Sequence, residues 1–330
     1  MDRIDFCGTS LALVREEQVR AALGVAEALA DLRAAFGRRH AGKAVNRPRV
    51  RVTSRQSGTA WLHTLRADLP GWGVAGGKDY TSIGFETPAM WATVVDTGTG
   101  LPIALIEAAH LSNVRTAAVT ALATDLLAPP DPRCLAHFGA GKISELLVRG
   151  VLLVRPSIEK VLLVRRDASK GDPDWAASLG GQVDFSLVES SEALSQADLA
   201  TTATSSKDPV IPAGAAIPRL RHLNLVGANH LKRQEIAEDL ARRCVASNAL
   251  LVADDPEQAA LEAGDFASLV ESGKLCWESV RSLLSLVADP SLRPETVELT
   301  AFKSVGVGLM DLVAAAGLLR RLGLLDDHDT

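Results

Sequence analysis

The 330-residue chain has few cysteines, and Cys7, Cys134, Cys244 and Cys276 are too scattered to form a C-x-x-C pair. A disulfide framework is therefore excluded, and a reducing, cytoplasmic setting is the expectation. The seven histidines include no H-E-x-x-H, and no Cys/His spacing suits zinc, so no metal is expected. A G-x-S-x-G elbow is missing, and so is a Walker lysine, because Lys142 follows a different glycine pattern. Positive charge is in deficit, with 35 Lys and Arg against 40 Asp and Glu. The resulting net charge of −5 gives no footprint for nucleic acid or an anionic membrane. The opening MDRIDFCGTSLALVREEQ has a broken apolar run carrying Asp2, Arg3 and Asp5, unlike a secretory signal. The apolar stretch from Val305 to Leu325 is interrupted by Asp311, Arg320 and Arg321, so it is not read as a membrane span. Trp61, Trp72, Trp91, Trp175 and Trp277 make no regular stripe, and no repeat or low-complexity segment is found. With 47% hydrophobic and 23% charged residues, the chain reads as globular and long enough for two domains.

Residues 134–167 carry the strongest local pattern: CLAHFGAG, KISELLVRGVLLVRPS, then IEKVLLVRRDASKG. This is an apolar strand, a glycine turn, an amphipathic helix and a second apolar strand. The turn Gly139-Ala140-Gly141-Lys142-Ile143-Ser144 is of the kind that brings backbone N–H groups against a pyrophosphate at a helix N-terminus. Ser144 stands where Gly or Ala is usual and still permits close packing of helix on strand. The second strand ends in Arg165-Arg166-Asp167, where many NAD sites carry an acid for the ribose hydroxyls. Two arginines there suit a 2′-phosphate, so NADP(H) is favoured, with NAD(H) as the alternative. The competing reading is the same βαβ unit without a nucleotide.

Apolar spacing predicts one amphipathic helix over 16–38. From Arg47 the pattern alternates, with Arg49, Arg51 and Thr53 on one side and Val50 and Val52 on the other: a half-buried strand with a basic face. Further strands are expected at 59–65, 72–79, 91–97 and 101–108, and a nearly uncharged helix at 111–128. Pro129, Pro130 and Pro132 mark a domain boundary. Beyond them strands at 183–188, 199–204, 222–228 and 249–255 alternate with helical sequence, implying a parallel, doubly wound sheet. The rhythm stops near residue 298, and a Lys-Ser-x-Gly turn leads into a last apolar helix that is expected to return to the N-terminal domain. The fold class is therefore α/β. A Rossmann-type domain at 130–299 would be inserted in a discontinuous α+β domain of residues 1–129 and 300–330.

Four cations stand out. Arg115 opens the apolar helix, where a guanidinium needs an anionic partner: one of the chain's acids, or a substrate carboxylate. Lys78, in GGKDYTS, is a solvated loop lysine or a cation beside a substrate; Arg49 and Arg51 pose a similar choice on a strand face. His110, His137, His222 and His230 read as packing or surface residues rather than general bases.

Taken in order and spacing, LSNVRTAAVTALATDLLA (111–128), GAGKIS (139–144), ADLATTAT (197–204), NLVGANHLKRQEI (224–236), DDPEQAALEAGD (254–265) and AFKSVGVGLMD (301–311) resemble the ornithine cyclodeaminase/mu-crystallin family over about residues 45–320. The resemblance implies a dinucleotide domain inserted in a substrate domain that also builds a homodimer, and hydride exchange with the α-carbon of an amino acid or its imine. By the same resemblance Arg115 and Arg49 are similar to arginines that grip the α-carboxylate, and Lys78 to the lysine near the reacting nitrogen. Thr116, Thr204, Gly227, Asn229, Lys303 and Ser304 look like cofactor or site residues beside the turn 139–143, and Arg115 is carried over to the cofactor as well.

Two departures bear on the reaction. In cyclodeaminases the V-G-A segment is followed by an aspartate that acts on the substrate amine, whereas this chain has Asn229. A neutral amide does not take up a proton as a carboxylate does, so deaminating cyclisation lacks its base. Ketimine-reducing members also lack that aspartate. Ile143 stands where glutamine is common, leaving phosphate binding to backbone N–H groups. The expected activity is NAD(P)H-dependent reduction of an imino acid, cyclic or linear. The alternatives are an ornithine or lysine cyclodeaminase, an alanine-type dehydrogenase, and a ligand-binding protein without turnover.

Overall fold

The computed structural model describes residues 2–37, 44–53, 60–82, 88–179, 181, 183–294 and 296–326. It divides into two compact units, Met1–Val119 with Gly306–Thr330, and Thr120–Val305. The division falls earlier than the prolines at 129–132 and later than residue 299, because the helix after residue 108 is not interrupted where its unit changes.

In the first unit, β1 (Asp2–Phe6) and β2 (Thr9–Val14) precede α1 (Glu16–Ala22) and α2 (Val25–Phe36). Strands β3 (Val45–Thr53), β4 (Ala60–Leu69), β5 (Val74–Thr81), β6 (Met90–Asp96) and β7 (Pro102–Glu107) follow, then α3 (Ala109–Leu127). They form one sheet in the order β1-β2-β7-β6-β5-β4-β3. The single helix expected over 16–38 is two helices broken at Leu23-Gly24, and residue 38 lies outside the described residues, as does residue 59 of the strand expected at 59–65. The β1–β2 hairpin turns at Cys7-Gly8, both with positive φ.

The second unit runs β8 (Cys134–Phe138), α4 (Ser144–Val154), β9 (Lys160–Val164), β10 (Asp184–Leu187), α5 (Ser190–Gln196), β11 (Leu199–Thr202) and β12 (His222–Leu225). It continues through α6 (Glu238–Cys244), β13 (Ala249–Ala253), α7 (Pro256–Glu262), α8 (Ala267–Glu271), β14 (Arg281–Ser282), α9 (Leu283–Ala288) and β15 (Leu299–Lys303). All pairings are parallel, in the order β10-β9-β8-β11-β12-β15-β13-β14. The rhythm therefore does not stop at 298: LTAFK is an inner strand, wholly buried, as strands covered on both faces must be.

The chain then closes the first unit with α10 (Gly308–Arg321), buried from Gly308 to Leu319 and packed on α2, β4 and β5. The faces of β3 are the reverse of the simplest expectation. Val50 and Val52 are 59% and 42% exposed, whereas Arg49 is only 9% exposed. Alternation fixes which residues share a face, but it was α10, on the side of the arginines, that decided which face is covered.

Candidate active site

Four charged side chains meet inside the first unit. From α10, Asp311 Oδ1 accepts a 2.8 Å hydrogen bond from Arg115 Nε and lies 3.1 Å from Lys78 Nζ. Lys78 also donates to Ser112 Oγ at 2.6 Å. Ser112 and Arg115 are three residues apart on the first turns of α3 and so share a helix face. Arg49 Nη2 donates to the Gly306 carbonyl at 2.9 Å. Gly306 has φ of +76°, and a Cβ there would stand 3.1 and 3.2 Å from the Arg115 Nη atoms, so glycine keeps the space before that guanidinium open. No hydrogen bond from Arg115 Nη1 or Nη2 to another described residue is present, which leaves the fork that recognises a carboxylate.

The charged groups are buried, and two of the cations, Lys78 and Arg115, share the Asp311 carboxylate. Burial pushes the Lys78 ammonium down to about 7, with Arg115 and Arg49 acting the same way and Asp311 opposing them. Lys78 thus exchanges its proton near neutrality instead of staying protonated throughout. Asp79, the next residue, is on the opposite face of the sheet, held by Arg66 at 2.7 Å. Two residues along the strands, His63 stacks on Tyr80 with centroids 4.3 Å apart. Burial, then Arg49 and Arg51, lower His63 to about 4, so its ring is neutral at physiological pH.

The second unit holds a groove of about 610 Å³ at the carboxyl ends of β8, β9 and β11. Its walls include Gly139, Ala140, Gly141, Arg165, Arg166 and Thr204. The position is the switch point of a doubly wound sheet, where β8 has β9 on one side and β11 on the other. Gly139 has φ of +117°, and a Cβ would lie 2.5 Å from the Ala203 carbonyl oxygen. Gly141 has no atom within 4 Å of where its Cβ would be, so the backbone is open to a ligand there. Ser144 Oγ donates to the Gly139 carbonyl at 3.0 Å, which accounts for a serine at this position. Arg165, Arg166 and Lys170 line the groove with one acid, Asp167, whose Oδ1 accepts from Ser169 Oγ at 2.6 Å. These features fit an extended, phosphate-bearing ligand.

The expected residues are not all placed alike. Arg49, Lys78 and Arg115 come together. Thr116 turns its hydroxyl back to the Ser112 carbonyl, while Lys142 and Ile143 sit on the turn outside the groove walls. A Cβ on Gly227 would lie 2.3 Å from Thr204 N, and Asn229 follows it half-buried. Lys303 is fully buried, with its ammonium on Asp265 at 2.8 Å and on the Ala228 carbonyl. Ser304 likewise donates to Asp254. Of the histidines, His137 and His222 are fully buried, and burial lowers them to about 4 and about 3. Asp311 and Ser112 were missed as site residues. A single acid in an apolar helix is the signal that could have found Asp311, because a buried carboxylate needs a cation. Glu235 was missed too: fully buried, it accepts from Thr204 N at 2.8 Å and Gly227 N at 2.7 Å, tying two loops at the groove end of the sheet.

A sequence profile of the ornithine cyclodeaminase/mu-crystallin family matches residues 10–321. A Delta(1)-pyrroline-2-carboxylate reductase from Bacillus cereus is 30% identical over 246 residues, covering 72% of this chain and 73% of its own. A probable ornithine cyclodeaminase from Bordetella pertussis has a similar structure, with a TM-score of 0.82 at 27% identity over 95% of this chain and 97% of its own. The iminosuccinate reductase of Paracoccus denitrificans, solved with NAD+, gives a TM-score of 0.83 at 22% identity, covering 96% of this chain and 98% of its own. At that identity the likeness is one of fold.

Proposed function

The chain belongs to the ornithine cyclodeaminase/mu-crystallin family, and from that premise we propose that it reduces the imine of an α-amino acid to the amino acid with a nicotinamide dinucleotide. One observation carries the reading: a buried clamp of Arg49 and Arg115 beside a lysine whose proton is exchangeable near neutral pH. The open Nη groups of Arg115 suit the substrate α-carboxylate, with Arg49 as the second donor. Lys78 donates a proton to the imine nitrogen as the α-carbon is reduced, and Ser112 and Asp311 hold its ammonium in place. The dinucleotide, when bound, supplies the hydride. Gly139, Ala140 and Gly141 would hold its pyrophosphate by backbone N–H groups, and Thr204 the far wall of the groove.

Arg165 and Arg166 favour NADP(H), since Asp167 is engaged with Ser169. The sheet face opposite Lys78 exposes Val50, Val52 and Leu105, which suits a second copy of the chain and hence a homodimer. Preformed cyclic imines, and keto acids with ammonia or amines, should oxidise NADPH faster than NADH. If ornithine instead yields proline and ammonia, the cyclodeaminase reading wins despite Asn229. If both dinucleotides bind but no imine is turned over, the protein is a binder.

A further inference from the structure

Lys78 and Arg115 share one oxygen atom. Asp311 Oδ1 lies 3.1 Å from Lys78 Nζ and accepts from Arg115 Nε at 2.8 Å, while the open Nη fork of Arg115 faces the space that Gly306 keeps clear. Asp311 is fully buried, and its Oδ2 has no hydrogen-bond partner among the described residues. Lys78 itself is only 3% exposed. The first unit thus gathers an amine, an anchor for a carboxylate and an acid with an oxygen ready to take up a proton. Donating a proton is only one of the things an amine can do in that setting.

We propose that Lys78 is also a nucleophile, which captures a 2-oxo acid as a Schiff base and passes it to ammonia or a primary amine, so that the protein builds the imine it reduces. The proposal rests on the imine-reductase reading. A 2-oxo acid carries its electrophilic carbon one bond from its carboxylate, so a carboxylate on the Arg115 fork brings that carbon to the amine. Asp311 takes a proton from the Lys78 ammonium, and the freed amine adds to the carbonyl carbon. A proton passes from nitrogen to the new alkoxide, and Asp311 returns its own to the hydroxyl, which leaves as water. Lys78 then holds a protonated imine, and Asp311 is again a carboxylate. Ammonia adds to the same carbon, a proton moves from it to the Lys78 nitrogen, and the neutral Lys78 amine departs. The iminium released is the species that proton transfer from Lys78 makes of a preformed imine. Burial, with Arg115 and Arg49 acting the same way and Asp311 opposing, brings the amine to about 7, so nucleophile and ammonium coexist near neutral pH. Burial also keeps bulk water, which hydrolyses imines, away from the adduct.

Trapping tests the capture without any dinucleotide. The protein is incubated with pyruvate and sodium cyanoborohydride, digested, and mapped by mass spectrometry. A carboxyethyl group should appear on Lys78, while Lys303, also buried but seated on Asp265 and the Ala228 carbonyl, stays unlabelled. Methyl pyruvate, a stronger electrophile without the carboxylate, should label Lys78 at least about tenfold more slowly. Ammonia present with the reductant should lower labelling by discharging the adduct. If Lys78 stays unlabelled, or labels as fast with methyl pyruvate or regardless of ammonia, the proposal is overturned. Oxidation of NADPH by preformed pyrroline-2-carboxylate then shows separately whether imine reduction survives it. Labelling of Lys78 that ammonia discharges, with no imine reduced, supports the capture and overturns the imine-reductase reading.

Discussion

Lys78 is pulled in two directions. Burial and two arginines favour its neutral form, while Asp311 at 3.1 Å favours the ammonium, and the balance sits at about 7. The protonated form is present below that value and is lost as pH rises through it. Reduction, which consumes the proton, should therefore show kcat/KM falling above about pH 7, and oxidation of the amino acid should rise through the same pH. Lys78→Met should remove the ionisation from both profiles, a result that initial rates across pH would reveal. Asp311→Asn leaves Lys78 and Arg115 without their shared carboxylate. It should destabilise the fold by about 3–5 kcal/mol, as measured by denaturant unfolding, and move the Lys78 limb to lower pH. Arg115→Lys keeps the charge but not the planar fork, so kcat/KM should drop by at least about tenfold while dinucleotide affinity changes less.

At the level of elements, the turn between β8 and α4 is held on two sides. Gly139 N donates to the Val164 carbonyl and Ala203 N to the Phe138 carbonyl, both at 2.9 Å, joining β8 to its two neighbours. Gly139→Val would meet the Ala203 carbonyl at 2.5 Å and an unfavourable positive φ together. The variant should lose about 1–3 kcal/mol of stability, and fluorescence titration should show dinucleotide binding weakened by at least about tenfold. The end of β9 tests the choice of cofactor. Replacing Arg165 and Arg166 by Ala should lower NADPH affinity by about tenfold and leave NADH affinity nearly unchanged.

For the whole molecule, the exposed face of the seven-stranded sheet is the notable feature. Antiparallel sheets tolerate one solvated face, but that face is then usually polar. Here Val50 lies in register with Thr64, and Val52 with Leu62, on the side away from Lys78. Val50→Glu together with Val52→Glu should therefore convert a dimer into a monomer in light scattering without changing the far-UV circular dichroism. A monomeric wild-type protein would remove the assembly proposal and leave the clamp unaffected.

Local order along the chain determined a good deal. The glycine turn, its flanking strands and the β–α alternation each lie within a few dozen residues, so periodicity and turn chemistry were enough to read the doubly wound sheet and its groove. The residue types around them marked out Arg49, Lys78 and Arg115, and resemblance supplied roles for them. Only the tertiary structure decided what these cations face. Arg115 and Asp311 are 196 residues apart in sequence, and no periodicity encodes which acid meets which base across that separation. Lys303 shows the converse, because a lysine beside a turn looks available until Asp265, 38 residues away, takes its ammonium. The inversion of β3 has the same origin. A period of two sorts Arg49 from Val50, but burial is a property of what packs on each face, and here α10 packs over the arginines.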